Sequence, residues 1–120
     1  MDVGGVDLVF AALADPTRRD IVARVFRHQL SVSVLAAAYP MSFAAVQKHV
    51  AVLEKAGLVS KERRGRERLV RGDVTTVRVA AGLLDDYERM WRDRIGRIED
   101  LLAAPEPATT ADPPTRGVSP

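Results

Sequence analysis

Residues 31–71 read SVSVLAAAYPMSFAAVQKHVAVLEKAGLVSKERRGRERLVR, and this stretch decides the fold. Its first part, Ser31 to Gly57, carries apolar residues at helical spacing with a break at Tyr39-Pro40. The residue before a proline disfavours helical geometry, so the pattern predicts a short helix over roughly Val32–Ala38. A longer helix follows Ser42, whose hydroxyl can cap it. On that helix Val46, Val50 and Leu53 fall on one face, at i, i+4 and i+7. Gly57 closes it, as suits a left-handed residue just past a helix end. Leu58–Arg64 and Arg66–Arg71 then read as two strands of a hairpin that turns at Gly65.

Charge is concentrated on that hairpin. Lys61 to Arg71 hold six cations and two carboxylates, a local sum of +4 in a chain whose net charge is +2. The rest of the chain is therefore net negative. A focused positive patch attracts a polyanion more strongly than the same charge spread evenly. Two short helices about a tight turn, followed by a cationic hairpin, form the layout of a winged helix-turn-helix. The expected fold class is mainly α with a small β-hairpin (α+β).

Upstream, Val6 to Ala14 predicts a first helix with Val6, Val9, Phe10 and Leu13 at helical spacing. Asp15-Pro16 marks a restart, because aspartate caps well and proline suits the first helical position. The second helix runs to about Arg27 and is expected to bury Ile21, Val22, Val25 and Phe26. Downstream, apolar residues recur every three or four positions from about Thr76 to Ala103, a stripe of about seven turns. A domain this small has no core able to cover it all, so part should face a partner. Candidate dimer-interface residues are Val6, Val9, Phe10 and Leu13 of the first helix, with Leu84, Tyr87, Trp91, Ile95, Ile98 and Leu102 of the last. The alternative is a last helix folded back on its own domain. Residues 104–120 hold five of the seven prolines and are expected to be a disordered tail. Residues 1–103 are expected to form one DNA-binding and dimerisation domain.

Composition narrows the function. At 120 residues the chain has the length of one domain, and it holds no cysteine. Disulfides, thiolate metal sites and cysteine catalysis are excluded. The first residues lack a basic region before an apolar run, which argues against a secretory signal. Gln29 to Gln47 is uncharged for 19 residues, but Pro40, several serines and many alanines make it too weakly apolar for a bilayer. The expected location is the cytoplasm, with no membrane partner. No nucleophile–base pair, phosphate-cradling glycine loop or histidine–carboxylate cluster points to an enzyme.

The residues placed to touch DNA follow from the helix-turn-helix geometry, in which the second helix projects its N-terminal side chains at base edges. Here these are Ser42, Phe43, Ala44, Gln47 and Lys48. Gln47 can pair with adenine, Lys48 can reach guanine acceptors or phosphate, and Phe43 or Ala44 can touch a thymine methyl. The alternative for Gln47 and Lys48 is an ordinary solvated helix face. His49 lies beside this face, either contacting the nucleic-acid backbone or half-buried and hydrogen-bonded. Arg63, Arg64, Arg66 and Arg68 flank the glycine turn, and alternation places about half of them toward a duplex. Arg18 and Arg19 are weaker candidates for phosphate contact, and His28 suits a helix C-terminus. The competing class is a winged helix that binds protein rather than DNA, against which the basic hairpin argues.

Two segments carry a family resemblance. Ala12-Leu13-Ala14-Asp15-Pro16-Thr17-Arg18-Arg19 followed by Ile21-Val22 resembles the opening signature of the ArsR/SmtB family of bacterial repressors. Leu30 through Val46-Gln47-Lys48-His49-Val50 to Leu53-Glu54-Lys55-Ala56-Gly57-Leu58-Val59 resembles that family's helix-turn-helix without a gap. The similarity covers roughly residues 6–72. It implies a homodimer built on the first and last helices, bound to an imperfect palindrome in a promoter and usually repressing. Half-sites would lie about one helical turn (~34 Å) apart.

The departures from the family pattern bear on mechanism. Metal-sensing members carry Cys-Val-Cys where this chain has Ser31-Val32-Ser33, and hydroxyls do not hold a thiophilic ion as thiolates do. Others use histidines and carboxylates on the last helix. Here Asp85, Asp86 and Glu88 are present, but no histidine stands between Val50 and Pro120. No metal or other cofactor is therefore expected, and an unidentified small-molecule effector is left open. Pro40 stands where a glycine is common, and Phe43 where a polar residue often reads bases, so the operator does not transfer from relatives.

Overall fold

The computed structural model describes residues 3–103, and the proline-rich segment 104–120 lies outside them. The elements run α1 (Val3–Leu13), α2 (Pro16–Arg27), β1 (Leu30–Ser31), α3 (Val32–Ala37), α4 (Phe43–Lys55), β2 (Val59–Arg64), β3 (Glu67–Gly72) and α5 (Val74–Ala103). Two compact units divide the chain at Leu83/Leu84, inside the continuous helix α5.

In the first unit, helix ends are set by side chains that the sequence supplies. The Asp15 carboxylate accepts from the Arg18 N–H at 3.0 Å, with Pro16 in the first turn of α2. Ser31 Oγ accepts from Val34 N–H and Ser42 Oγ from Ala45 N–H, each at 3.1 Å. These contacts satisfy amide groups that have no partner within the helix. At the other end of α4, Gly57 has φ of 82°. Its N–H donates to Glu54 C=O and the Leu58 N–H to Leu53 C=O, both at 3.0 Å. This is the Schellman arrangement, with Leu53 and Leu58 both fully buried. A Cβ at Gly57 would also stand 3.0 Å from Thr76 Oγ1.

The core gathers one face from each element. Val9 and Ala12 of α1, Ile21 and Val25 of α2, and Leu35 of α3 meet Val46, Val50 and Leu53 of α4. Leu58, Val59 and Val70 close it from the sheet side, and Ala80 from α5. Val46, Val50 and Leu53 are thus buried as their spacing predicts. Two expectations need correction. Val9 is 1% exposed; as a core residue it has no surface to give a partner. Phe26 is 40% exposed and lies over Gly72, where a Cβ would run into its ring.

The sheet is antiparallel in the order β1-β3-β2. Arg64 pairs with Glu67 across a two-residue turn, Gly65-Arg66, and Arg63 pairs with Arg68. Gly65 has φ of 65°, which a two-residue hairpin turn requires at its first position. Strand β1 pairs Leu30 with Val70 and Ser31 with Leu69. The sequence does not predict this third strand, since two residues carry no alternation to read.

The described part of the second unit is the helical segment 84–103. Leu84, Tyr87, Trp91 and Ile98 are 42–57% exposed and Leu102 81%, with Ile95 half-buried. They share one face at spacings of three and four. Flanking them, Arg89 pairs with Asp85 and Asp86, and Arg92 with Glu88. Arg94 sits 5.7 Å from the Trp91 ring centre. No helix among the described residues is long and apolar enough to cross a membrane.

Candidate nucleic-acid interface

Burial of Val46, Val50 and Leu53 leaves the opposite side of α4 in solvent. Ser42, Phe43, Ala44, Gln47 and Lys48 are all exposed at its N-terminal end. Phe43 alone among them is bulky and apolar, and it is 48% exposed. The Ser42 oxygen accepts the capping bond, and its O–H is left as a donor toward solvent.

His49 takes the half-buried alternative. Its Nδ1 accepts from Arg18 Nη1 at 3.3 Å and lies 4.0 Å from the Asp15 carboxylate. A guanidinium only donates, so neutral His49 carries its proton on Nε2. The same Arg18 donates through Nε to Ala12 C=O at 2.8 Å and through Nη2 to Ala11 C=O at 3.3 Å. Arg19 donates to Leu13 C=O at 2.9 Å. Both cations therefore close the C-terminus of α1, where unpaired carbonyls and the helix dipole favour positive charge. Arg18 thereby has Nε and both Nη atoms engaged within the protein, whereas Arg19 stays exposed with further N–H groups. The bond from the Arg18 amide is the main cause holding the Asp15 carboxyl below its ordinary pKa.

Strand alternation sorts the wing cations. The face that carries buried Val59 and Val70 also carries Lys61, Arg63 and Arg68, so it looks toward α4. The other face carries Glu62, Arg64, Glu67 and Arg71. There Glu62 lies 3.3 Å from Arg64 and 3.9 Å from Arg71. Among the described residues, Arg63, Arg66 and Arg68 have no carboxylate partner, whereas Lys61 lies 3.4 Å from Glu54. Cations without a local counter-charge and the exposed start of α4 thus belong to one side of this unit. Arg64 stands apart from them, on the far face and paired.

Sequence reading missed a clamp behind this surface. The Tyr39 hydroxyl donates to Asp20 Oδ2 at 2.6 Å, and Arg24 Nε donates to the same oxygen at 2.8 Å. The Arg24 guanidinium lies 5.4 Å from the Tyr39 ring centre. The clamp ties the turn before α4 to α2. The Tyr39 hydroxyl, and next Arg24, hold the Asp20 carboxyl below its usual range. Burial, reinforced by the bond to Asp20, pushes the Tyr39 phenol up to about 12. The Asp20–Arg24 spacing of four was legible as a helix pair; Tyr39 showed only as a helix stop.

Hydroxyls at the third helix are partly committed: Ser31 is 6% exposed and caps α3. No three or more histidines and carboxylates converge among the described residues.

Residues 15–61 match the model of the bacterial regulatory protein arsR family. An HTH-type transcriptional regulator of Mycobacterium tuberculosis is 40% identical over 85 residues, spanning 71% of this chain and 77% of that protein. The chain belongs to the ArsR family. It is an ArsR-family transcriptional regulator and not an enzyme. An uncharacterized regulator of the same type from Bacillus subtilis is 38% identical over 74 residues, 56% of this chain and 80% of the relative. Among solved structures, an ArsR-like transcriptional regulator from Rhodococcus sp. RHA1 superposes with a TM-score of 0.72 at 33% identity, covering 83% of this chain and 93% of that one. A homodimeric winged helix-turn-helix DNA-binding domain from Mycobacterium bovis shares the fold at 23% identity, with a TM-score of 0.60 over 72% and 81% of the two chains.

Proposed function

We infer that this ArsR-family regulator is a homodimeric repressor that binds an imperfect palindrome in a promoter and works without a metal. The observation that carries this reading is the shared side of α4 and the wing. Exposed Gln47, Lys48, Phe43 and Ala44 meet the major groove with Ser42, while Arg63, Arg66 and Arg68 reach flanking phosphates or the minor groove. Arg64 contributes less, because Glu62 already offsets its charge. His49 acts by holding α4 on its scaffold and contacts at most the nucleic-acid backbone.

Dimerisation uses Leu84, Tyr87, Trp91, Ile95, Ile98 and Leu102, with Val6, Phe10 and Leu13 of α1. The support is the apolar face of segment 84–103, which is more extended than a soluble monomer leaves in water. Residues 1–103 then form the DNA-binding and dimerisation region. Independence from metal is supported by the hydroxyls of Ser31 and Ser33 in place of thiolates. It is supported also by Asp85, Asp86 and Glu88, which are paired to arginines.

The test is fluorescence anisotropy of the full chain with a duplex from its own upstream region, titrated with salt. Neutralising several phosphates makes log K fall against log[salt] by about 0.9 per phosphate. Absence of binding to every duplex in dilute buffer would leave the wing as a protein-binding module instead.

A further inference from the structure

Between α3, the start of α4 and the tip of the wing lies a cleft of about 190 Å³, wholly within the first compact unit. Its apolar surface is the open face of Phe43, 48% exposed, with Val32, 7% exposed, at its edge. Its rim is charged, formed by Lys61, Arg66, Glu67 and Arg68. Lys61 is offset by Glu54 at 3.4 Å. Arg66 and Arg68 have no carboxylate partner among the described residues; with Glu67, also on the lining, the formal charge of the three is +1. The rim thus presents a single net positive charge beside an apolar surface.

That combination selects a chemical class. One carboxylate suits two guanidinium groups, which donate strong charge-assisted hydrogen bonds. A dianion such as a phosphate monoester exceeds the formal +1 of this lining. The volume falls below the roughly 300–1,000 Å³ of a drug-sized site, which limits the apolar body to one aromatic ring or a short acyl chain. Ser33 and Gln47, also on the lining, provide neutral hydrogen-bonding groups.

We propose that this cleft binds a small aryl or short-chain monocarboxylate, and that bound acid keeps DNA off the same face. Arg66 and Arg68 hold the carboxylate, while the body packs on the Phe43 ring beside Val32. The two ligands exclude one another because Phe43, Gln47, Arg66 and Arg68 belong to both. The exclusion rests on the DNA-binding reading above; the binding itself does not.

Titration of the full ¹⁵N-labelled chain with phenylacetate, followed by two-dimensional NMR, tests the site directly. Amide shifts are expected at Ser33, Phe43, Gln47, Arg66 and Arg68, saturating on the order of 0.1–1 mM for so small a ligand. Phenylacetamide, lacking the charge, and inorganic phosphate, lacking the apolar body, should each bind at least about tenfold more weakly. Arg66→Gln with Arg68→Gln should weaken phenylacetate similarly, and Phe43→Ala should weaken phenylacetate but not phosphate. All three positions are on the surface, so the unliganded spectrum reports whether each variant is folded. No shifts at the cleft, or equal binding of the amide, overturns the site. Equal binding of phosphate reduces it to a bare anion patch and overturns the assigned class. A DNA competition under the same conditions separates the two halves. Acid that shifts the cleft but leaves a bound duplex in place overturns the exclusion. A chain that binds the acid but no duplex overturns the DNA reading and leaves the site standing.

Discussion

Tyr39 is a single side chain that ties two elements together. Its hydroxyl bond to Asp20 anchors the turn before α4. Tyr39→Phe should lower stability by a few tenths to about 1 kcal/mol in urea unfolding, because the pair is largely solvated. The pH dependence has a definite sign. A phenol raised from 10.0 to about 12 in the folded state contributes fully below pH 10, and that contribution disappears as pH rises through 12. The stability gap between the native chain and Tyr39→Phe should therefore be constant up to pH 10 and close between 10 and 12. A gap that persists at pH 12 would place the hydroxyl's contribution elsewhere. Gly72 is a second such position. Gly72→Ala drives a methyl into the Phe26 ring and should destabilise by about 1–3 kcal/mol. Phe26→Leu should recover part of that loss in a double-mutant cycle; additive effects would exclude the clash.

At the scale of elements, the wing separates into two faces with different electrostatics. Arg63→Ala with Arg68→Ala should flatten the salt slope of DNA binding by about 0.9 for each phosphate no longer neutralised. Arg64→Ala should change it less, because Glu62 already sits 3.3 Å from that guanidinium. Equal effects from both faces would refute the assignment. Much of this level was legible in the sequence. Asp15, Ser42 and Gly57 set helix ends through local bonds, and Val46, Val50 and Leu53 obey a period that burial enforces. Where the sequence misleads, the cause is not local. β1 exists only because β3 lies beside it, and Phe26 leaves the core because Gly72 offers a flat seat at the surface. Arg18 reads as a free cation because the carbonyls it serves lie six and seven residues back. The division of the wing arginines is legible only in part, since alternation gives two faces without saying which one carries the counter-charge.

The molecule as a whole is expected to act as a pair. Trp91 is 57% exposed on the apolar face of α5, and the proposed burial against a second copy would make it a hot spot, a class whose loss costs about 2 kcal/mol or more. Trp91→Ala should raise the dimer dissociation constant by roughly 30-fold, read by sedimentation velocity across a dilution series. An unchanged constant would remove Trp91 from the interface. DNA binding should weaken in parallel at low protein concentration, since two heads joined in one particle hold a palindrome far better than one.

The Arg18 guanidinium, lodged between the last carbonyls of α1 and the His49 ring, bears on how kinship is to be interpreted. The phrase Asp15-Pro16-Thr17-Arg18-Arg19, which opens the stretch that matches the family, describes joinery between three helices. Its arginines bond to the last carbonyls of α1 and to His49. If Phe43, Gln47 and Lys48 read bases as proposed, two proteins can share that phrase letter for letter and still patrol different promoters.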